Sequence, residues 1–240
     1  MRLGTVMFRK AVAIGFFSLS LALDVVQAQA KSDDAPVTDC DKYAANSLDP
    51  QRKAPGVTLV ALNAALAMPA CEAAVQKYPD SARFMYQLGR AHHKSDNFAT
   101  AALWYRTAMR HGSGFGEAAY GLMLMDGMGV PKDMAKAVKL FRDAGEKGVL
   151  IAQNALGYLY AQGNGLPQDT ALSLMWYRKA AEQGAPTAQL ALGIAYDEGK
   201  GVKQDLAQAA DWYRKAAAFG IEAAKKRLAA LEAKMKAQGK

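Results

Sequence analysis

Few side chains in this chain have the type and spacing that covalent or metal chemistry requires. The only thiols are Cys40 and Cys71, and the only imidazoles are His92, His93 and His111. A thiol paired with an imidazole could act as a nucleophile, but neither cysteine carries the flanking signature of a thiol enzyme. His92 and His93 are adjacent, so on a helix they point about 100° apart and cannot share a metal ion. Gly127-Met128-Gly129, Gly163-Asn164-Gly165 and Gly199-Lys200-Gly201 each precede a helix start, the right polarity for an anion. They follow helices, however, and a dinucleotide loop needs a strand before it. Trp176-Tyr177 and Trp212-Tyr213 could stack on bases or sugars, yet their helical spacing and repetition make them core. No acid–base pair occurs at motif spacing. The residues therefore predict no catalytic group, no metal and no cofactor, and a protein that is not an enzyme.

What positions these residues is a repeat. Gly112, Gly148, Gly184 and Gly220 recur every 36 residues, as do Trp104, Leu140, Trp176 and Trp212, and Asp133, Asp169 and Asp205. A fixed period of this size marks stacked structural units. The clearest unit opens Ala152-x-x-x-Leu156-Gly157-x-x-Tyr160, with apolar residues four apart on one helical face. Gly157 leaves that face bare, so a neighbouring helix can approach. Gly163 and Gly165 end this helix, with Pro167 just beyond. Asp169 caps a second helix that carries Leu174, Trp176, Tyr177 and Ala180 and stops at Gly184. Such a hairpin has one apolar side and must stack to bury it.

The unit from Ala188 to Gly220 repeats this wording, and the unit closing at Gly148 repeats it more loosely. The pattern resembles the Sel-1-like repeat family, a relative of tetratricopeptide repeats, over about Glu117 to Leu228. The resemblance implies an all-α fold: a right-handed α-solenoid of stacked antiparallel helix pairs that binds proteins or assembles complexes. The unit from Ala82 to Gly112 lacks the Gly-x-Gly loop, since Gly89 and Trp104 are 15 residues apart where Gly157 and Trp176 are 19 apart. Its offsets look like a plain tetratricopeptide hairpin, and Ala67, Cys71, Ala74 and Pro79 fit a half-repeat before it, with Pro69 disturbing its first turn. Some cysteine-rich members of the family are linked to β-lactam binding. This chain has neither a cysteine pair in each repeat nor Ser-x-x-Lys, so that activity is not carried over.

The predicted organisation is a signal peptide over 1–30, a cap with a half-repeat helix over 31–80, and a tetratricopeptide-like repeat over 81–112. Sel-1-like repeats follow over 113–148, 149–184 and 185–220, and a basic cap helix over 221–240. The basic start (Arg2, Arg9, Lys10), the apolar run Ala11 to Leu23 and Ala28-Gln29-Ala30 have the order of a secretory signal. Export to the periplasm or beyond favours pairing Cys40 with Cys71. Closing that loop is worth about 3–4 kcal/mol on a chain-entropy account. The segment from Cys40-Asp41 through Asp49-Pro50 to Cys71-Glu72 is also similar to a leader found before such arrays in exported bacterial proteins.

The formal charge of +8 falls to +6 without Arg2, Arg9, Lys10 and Asp24, and residues 221–240 alone carry +4. The basic excess belongs to the tail, which argues against nucleic acid as a partner and leaves contact with an anionic membrane surface open.

In tetratricopeptide-like stacks the first helix of each pair lines the concave groove. Three before, one after and four after the Leu-Gly glycine, its outward positions are Tyr86, Arg90 and His93; Ala118, Leu122 and Met125; Asn154, Tyr158 and Ala161; and Leu190, Ile194 and Asp197. The expected function is an exported adaptor holding a protein or peptide of the cell envelope in this groove. The alternatives are an envelope structural factor that recognises glycan or peptidoglycan and, further off, a hydrolase. Oligomeric state is not encoded in the pattern. Intact-mass analysis of the exported protein is expected to place its N-terminus at Lys31; a mature protein that retains residues 1–30 would contradict this reading.

Overall fold

The computed structural model describes residues 34–49 and 52–237, so the signal-like segment lies outside the described residues. Its helices are α1 (Asp39–Ala44), α2 (Ala64–Lys77), α3 (Ala82–Lys94), α4 (Phe98–Arg110), α5 (Gly114–Asp126), α6 (Met134–Glu146), α7 (Leu150–Gln162), α8 (Thr170–Glu182), α9 (Pro186–Glu198), α10 (Leu206–Ala218) and α11 (Glu222–Ala237). From α3 to α10 they pack as antiparallel pairs, α3 with α4 through α9 with α10, and each pair packs on the next. The first helices α3, α5, α7, α9 and α11 also touch one another in sequence, whereas the second helices do not pack together to that extent. The stack is therefore tighter on the first-helix side, which makes that side the concave one.

Each pair closes on a glycine. Gly89, Gly121, Gly157 and Gly193 face the rings of Tyr105, Phe141, Tyr177 and Tyr213 in their own second helix. A Cβ on Gly157 would lie 2.6 Å from Tyr177 Cδ1, so the approach depends on the missing side chain. Trp176 and Tyr213 are buried, and Trp104 and Trp212 half-buried, so the aromatic pairs are packing elements. Asp133, Asp169 and Asp205 each accept the backbone N–H three residues on, at 2.9 Å, and start α6, α8 and α10.

The Gly-x-Gly loops are seams. Gly163 ends α7 in the left-handed region at φ 68°, and Gly165 follows at φ 74°. Gly165 packs on Met134 and Gly201 on Thr170, the first residues of the preceding second helices, with no room for a Cβ. Side chains repeat the join. Arg142 donates to the Tyr160 hydroxyl (3.3 Å), Arg178 to Tyr196 (2.6 Å) and Arg214 to Glu232 (3.2 Å), the same step in three successive units. A second ladder pairs Glu117 with Lys147 (2.9 Å) and Gln153 with Gln183 (2.7 Å). Its next rung puts Gln189 opposite the position of Phe219, and the buried Gln189 Oε1 has no partner.

The stack is closed at both ends. Ala224 and Leu231 of α11 are buried, with Leu228 and Met235 against the cluster around Tyr196 and Tyr213. At the other end the Cys40–Cys71 disulfide joins α1 to α2. Pro69 lies inside α2 without ending it; Asn63 caps the helix upstream by accepting from the N–H groups of Ala65 and Leu66. Among the described residues no helix is long and apolar enough to cross a membrane.

Gly157→Leu is expected to lower the unfolding free energy by about 2–3 kcal/mol through overpacking against Tyr177. Gly163→Ala should cost about 1–2 kcal/mol through left-handed strain. Denaturant midpoints equal to that of the parent protein for both variants would contradict the packing described.

Candidate binding groove

The concave face begins on α3, where it is not open. Arg83, Tyr86, Gln87 and Arg90 are all buried, by the chain's own residues 35–49 and 52–60. Arg83 forms an ion pair with the fully buried Asp41 and donates to the carbonyl of Ala35 at 2.7 Å. Gln87 Nε2 donates to Asp41 Oδ1 at 3.0 Å. Asn46 donates to the Tyr86 hydroxyl at 2.9 Å. Arg90 donates to two carbonyls, Ala44 and Val57, both at 2.6 Å. One turn further, Lys94 donates to the carbonyl of Val60 at 2.9 Å. Val57 N–H bonds to the Ala45 carbonyl at 2.8 Å, so Arg90 bridges the two ends of a closed loop.

The expectation that Tyr86 and Arg90 face an external partner is thus corrected: a segment of the chain itself covers both. Burial pushes the Tyr86 hydroxyl up, and Tyr105 beneath it well up. His93 is half-buried, edge-on to Phe98 and Tyr105, with Nδ1 3.4 Å from the Tyr105 hydroxyl. Burial lowers the pKa of both His92 and His93. Both cysteines are bonded, so neither is a nucleophilic thiol. Among the described residues no three His, Cys, Asp or Glu side chains converge to hold a metal.

Past α3 the face opens. Ala118 is buried, but Leu122 and Met125 on α5 are half-buried. On α7 Asn154 and Ala161 are half-buried, and Tyr158 is 46% exposed. On α9 Leu190, Ile194 and Asp197 are half-buried. Asn154 Oδ1 accepts from Thr187 (2.9 Å), and Asp197 accepts from the Tyr213 hydroxyl (3.2 Å). Burial pushes Tyr177 up to about 12, with Tyr158 adding to the shift. The open strip is apolar at its centre, and the carboxylate at its end is already engaged.

The residues that sequence reasoning missed are Arg83, Gln87 and Lys94, together with Asp41 and Asn46. A signal was available. Arg83, Gln87 and Arg90 lie on one face of α3, where α5 carries Phe115, Ala119 and Leu122 and α7 carries Ile151, Ala155 and Tyr158, although the Lys94 position is polar in the later repeats too, as Asp126, Gln162 and Glu198. Polar side chains there imply a polar cover.

Comparison with known proteins sets this geometry in a family. The Sel1 repeat model matches residues 82–113, 115–149, 150–184 and 186–218, more than half of the chain. The chain belongs to the Sel1 repeat family. The match includes 82–113, the hairpin whose short loop had set it apart as tetratricopeptide-like. Sel1 repeat proteins are generally protein-interaction scaffolds and typically non-catalytic. No curated protein sequence matches the chain. Among solved structures, a Sel1 repeat protein from Oxalobacter formigenes is 30% identical, with a TM-score of 0.58 over 63% of this chain and 64% of that one. A second is c5321, a protective antigen present in uropathogenic Escherichia coli strains. It is 27% identical, with a TM-score of 0.59 over 91% of this chain and 44% of that one. The chain thus spans less than two thirds of the length of either Sel1 relative.

Arg90→Ala is expected to remove about 3 kcal/mol by leaving the Ala44 and Val57 carbonyls without their charged donor. Amide exchange at Val57 should rise while that of α6 to α10 stays as it is. Unchanged exchange at Val57 would contradict the bridging role.

Proposed function

We propose that this Sel1 repeat protein is an exported, non-enzymatic scaffold that binds a protein or peptide of the cell envelope along the open part of its groove. The observation that carries the reading is Tyr158. It is a large aromatic, 46% exposed on the concave face, flanked at equivalent positions by Leu122 and Ile194. Tyrosine is an effective interface anchor because it contributes wide contact with little conformational freedom to lose. Met125 beside this strip adapts to varied partners. The disulfide is compatible with export.

A second reading, an envelope structural factor that recognises glycan or peptidoglycan, draws on the Asn154 amide one turn before the exposed Tyr158 ring. The basic tail has a smaller part in either reading. Lys225 already pairs with Glu222, and Arg227 with Glu198. Lys234 and Lys236 would be the residues of α11 to meet anionic lipid.

Tyr158→Ala should weaken partner capture from envelope extract by about 1–3 kcal/mol with helicity intact. Reversing charge at Lys234 and Lys236 should change capture far less. Competition by soluble peptidoglycan fragments rather than by peptide would favour the second reading. Capture abolished by the tail variants and untouched by Tyr158→Ala would overturn the groove assignment.

A further inference from the structure

The loop between α7 and α8 holds the chain's one asparagine followed by glycine, Asn164-Gly165. Both residues are exposed. The Asn164 N–H donates to the Leu159 carbonyl at 3.2 Å, but the Asn164 side-chain amide and the Gly165 main-chain nitrogen have no hydrogen-bond partner among the described residues. An unbonded amide carbon thus stands next to an unbonded nitrogen, and Gly165 has no Cβ to hinder their approach. The other four asparagines lack this combination. Asn46 is buried with its amide on Tyr86, Asn63 caps α2, and Asn154 lies inside α7 with its side chain bonded to Thr187. Asn97 precedes Phe98, whose nitrogen already donates to the Asp96 carbonyl at 2.9 Å. Asp126-Gly127 is a similar dipeptide, yet the Gly127 nitrogen donates to the Met123 carbonyl at 2.9 Å.

We propose that Asn164 is a site of spontaneous deamidation, and that the isoaspartate formed there loosens the joint between the α5–α6 and α7–α8 pairs. The proposal is independent of the groove reading. In the first step the Gly165 nitrogen, its proton lost to solvent base, attacks Asn164 Cγ. A new C–N bond forms, the bond from Cγ to the side-chain nitrogen breaks, and ammonia leaves with a proton from water. In the second step water opens the resulting cyclic imide. Breaking the bond from its nitrogen to the main-chain carbonyl carbon of Asn164 yields isoaspartate, and breaking the bond to Cγ yields aspartate. The sum converts amide and water into carboxylate and ammonium, with no change of oxidation state.

The packing makes the two products unequal. Aspartate leaves the main chain as it was. Isoaspartate routes the main chain through the side chain and adds a methylene carbon between Gly163 and Gly165. The loop has no slack for it. Gly163 and Asn164 both donate to the Leu159 carbonyl, and Asp169 donates to the Tyr160 carbonyl at 3.0 Å, so both ends are pinned to α7. Between them Gly165 lies against Met134 and Val138 of α6, with Leu166 packed on the core cluster that contains Val138. Extra atoms in a close-packed contact force the neighbours to shift. The counterpart loops carry Met128 and Lys200 in place of Asn164, so this chemistry is confined to the middle one of the three seams.

The test holds the full protein at mildly alkaline pH and locates isoaspartate by labelling with an isoaspartyl methyltransferase and peptide mapping. Label is expected at residue 164 before any other asparagine, faster at higher pH, and absent from Asp126 and from the Asn164→Gln variant. Limited proteolysis should cut the 163–169 loop of the aged protein about tenfold faster than that of fresh protein, since cleavage follows the population of the opened loop. The Asn164→Asp variant should be cut at the rate of fresh protein. Conversion of Asn164 only after unfolding in urea would overturn the proposal, because the fold would then shield the dipeptide. Label at Asp126 as early as at residue 164 would overturn it as well, because the unbonded nitrogen would then decide nothing. Label at residue 164 with cleavage no faster than that of Asn164→Asp would overturn the loosened joint.

Discussion

Each helical pair of this protein depends on a glycine backbone against an aromatic ring. Gly89, Gly121, Gly157 and Gly193 receive Tyr105, Phe141, Tyr177 and Tyr213. The contact sets how close two helices lie, and that spacing fixes the apolar edge each pair offers the next. The seam bonds follow from it. Arg142, Arg178 and Arg214 find partners at the same step because the pairs are spaced alike. The groove is a consequence of the same spacing, since the first helices approach one another more closely than the second helices do. A solenoid built this way adds surface by repetition and transmits little between distant units, which suits a scaffold better than a catalyst.

The N-terminal segment answers a different constraint. The first pair has the single helix α2 before it and a groove face of its own to cover. A terminal unit must present a polar outer surface. Here the disulfide holds the cap to α2 while Arg83, Gln87 and Arg90 hold it to α3. Buried polar groups of this kind add little net stability but fix one arrangement among many. The result is a shortened groove that begins at α5, with its apolar centre at Tyr158.

Much of the stack was legible in the chain. Asp133, Asp169 and Asp205 announced second helices, and Gly163 and Gly165 announced the turn between them, because caps and positive-φ turns act through local chemistry. Groove positions were legible only as a register. Counting from the Leu-Gly glycine placed Leu122, Tyr158 and Ile194 on a partly open face. The same count placed Tyr86 and Arg90 there, where residues of the N-terminal segment such as Ala44, Asn46 and Val57 cover them. A non-repeating segment has no register to read. Its carbonyls at Ala35, Ala44, Val57 and Val60, which the cationic side chains of α3 grip, carry no sequence signal, since every residue has one. The missed clue was a break in the pattern: Arg83, Gln87 and Arg90 stand where α5 has Phe115, Ala119 and Leu122 and α7 has Ile151, Ala155 and Tyr158.

The central claim is that partners meet the concave first-helix face from α5 to α9. A site-by-site photo-crosslinking scan tests it most directly. A benzophenone side chain would replace Leu122, Tyr158 or Ile194 on that face, or Leu103 or Met175, which are 49% and 40% exposed on second helices. The account predicts crosslinks to partner from the first three positions and none from the last two. Crosslinks from Leu103 or Met175 with none from Tyr158 would contradict it.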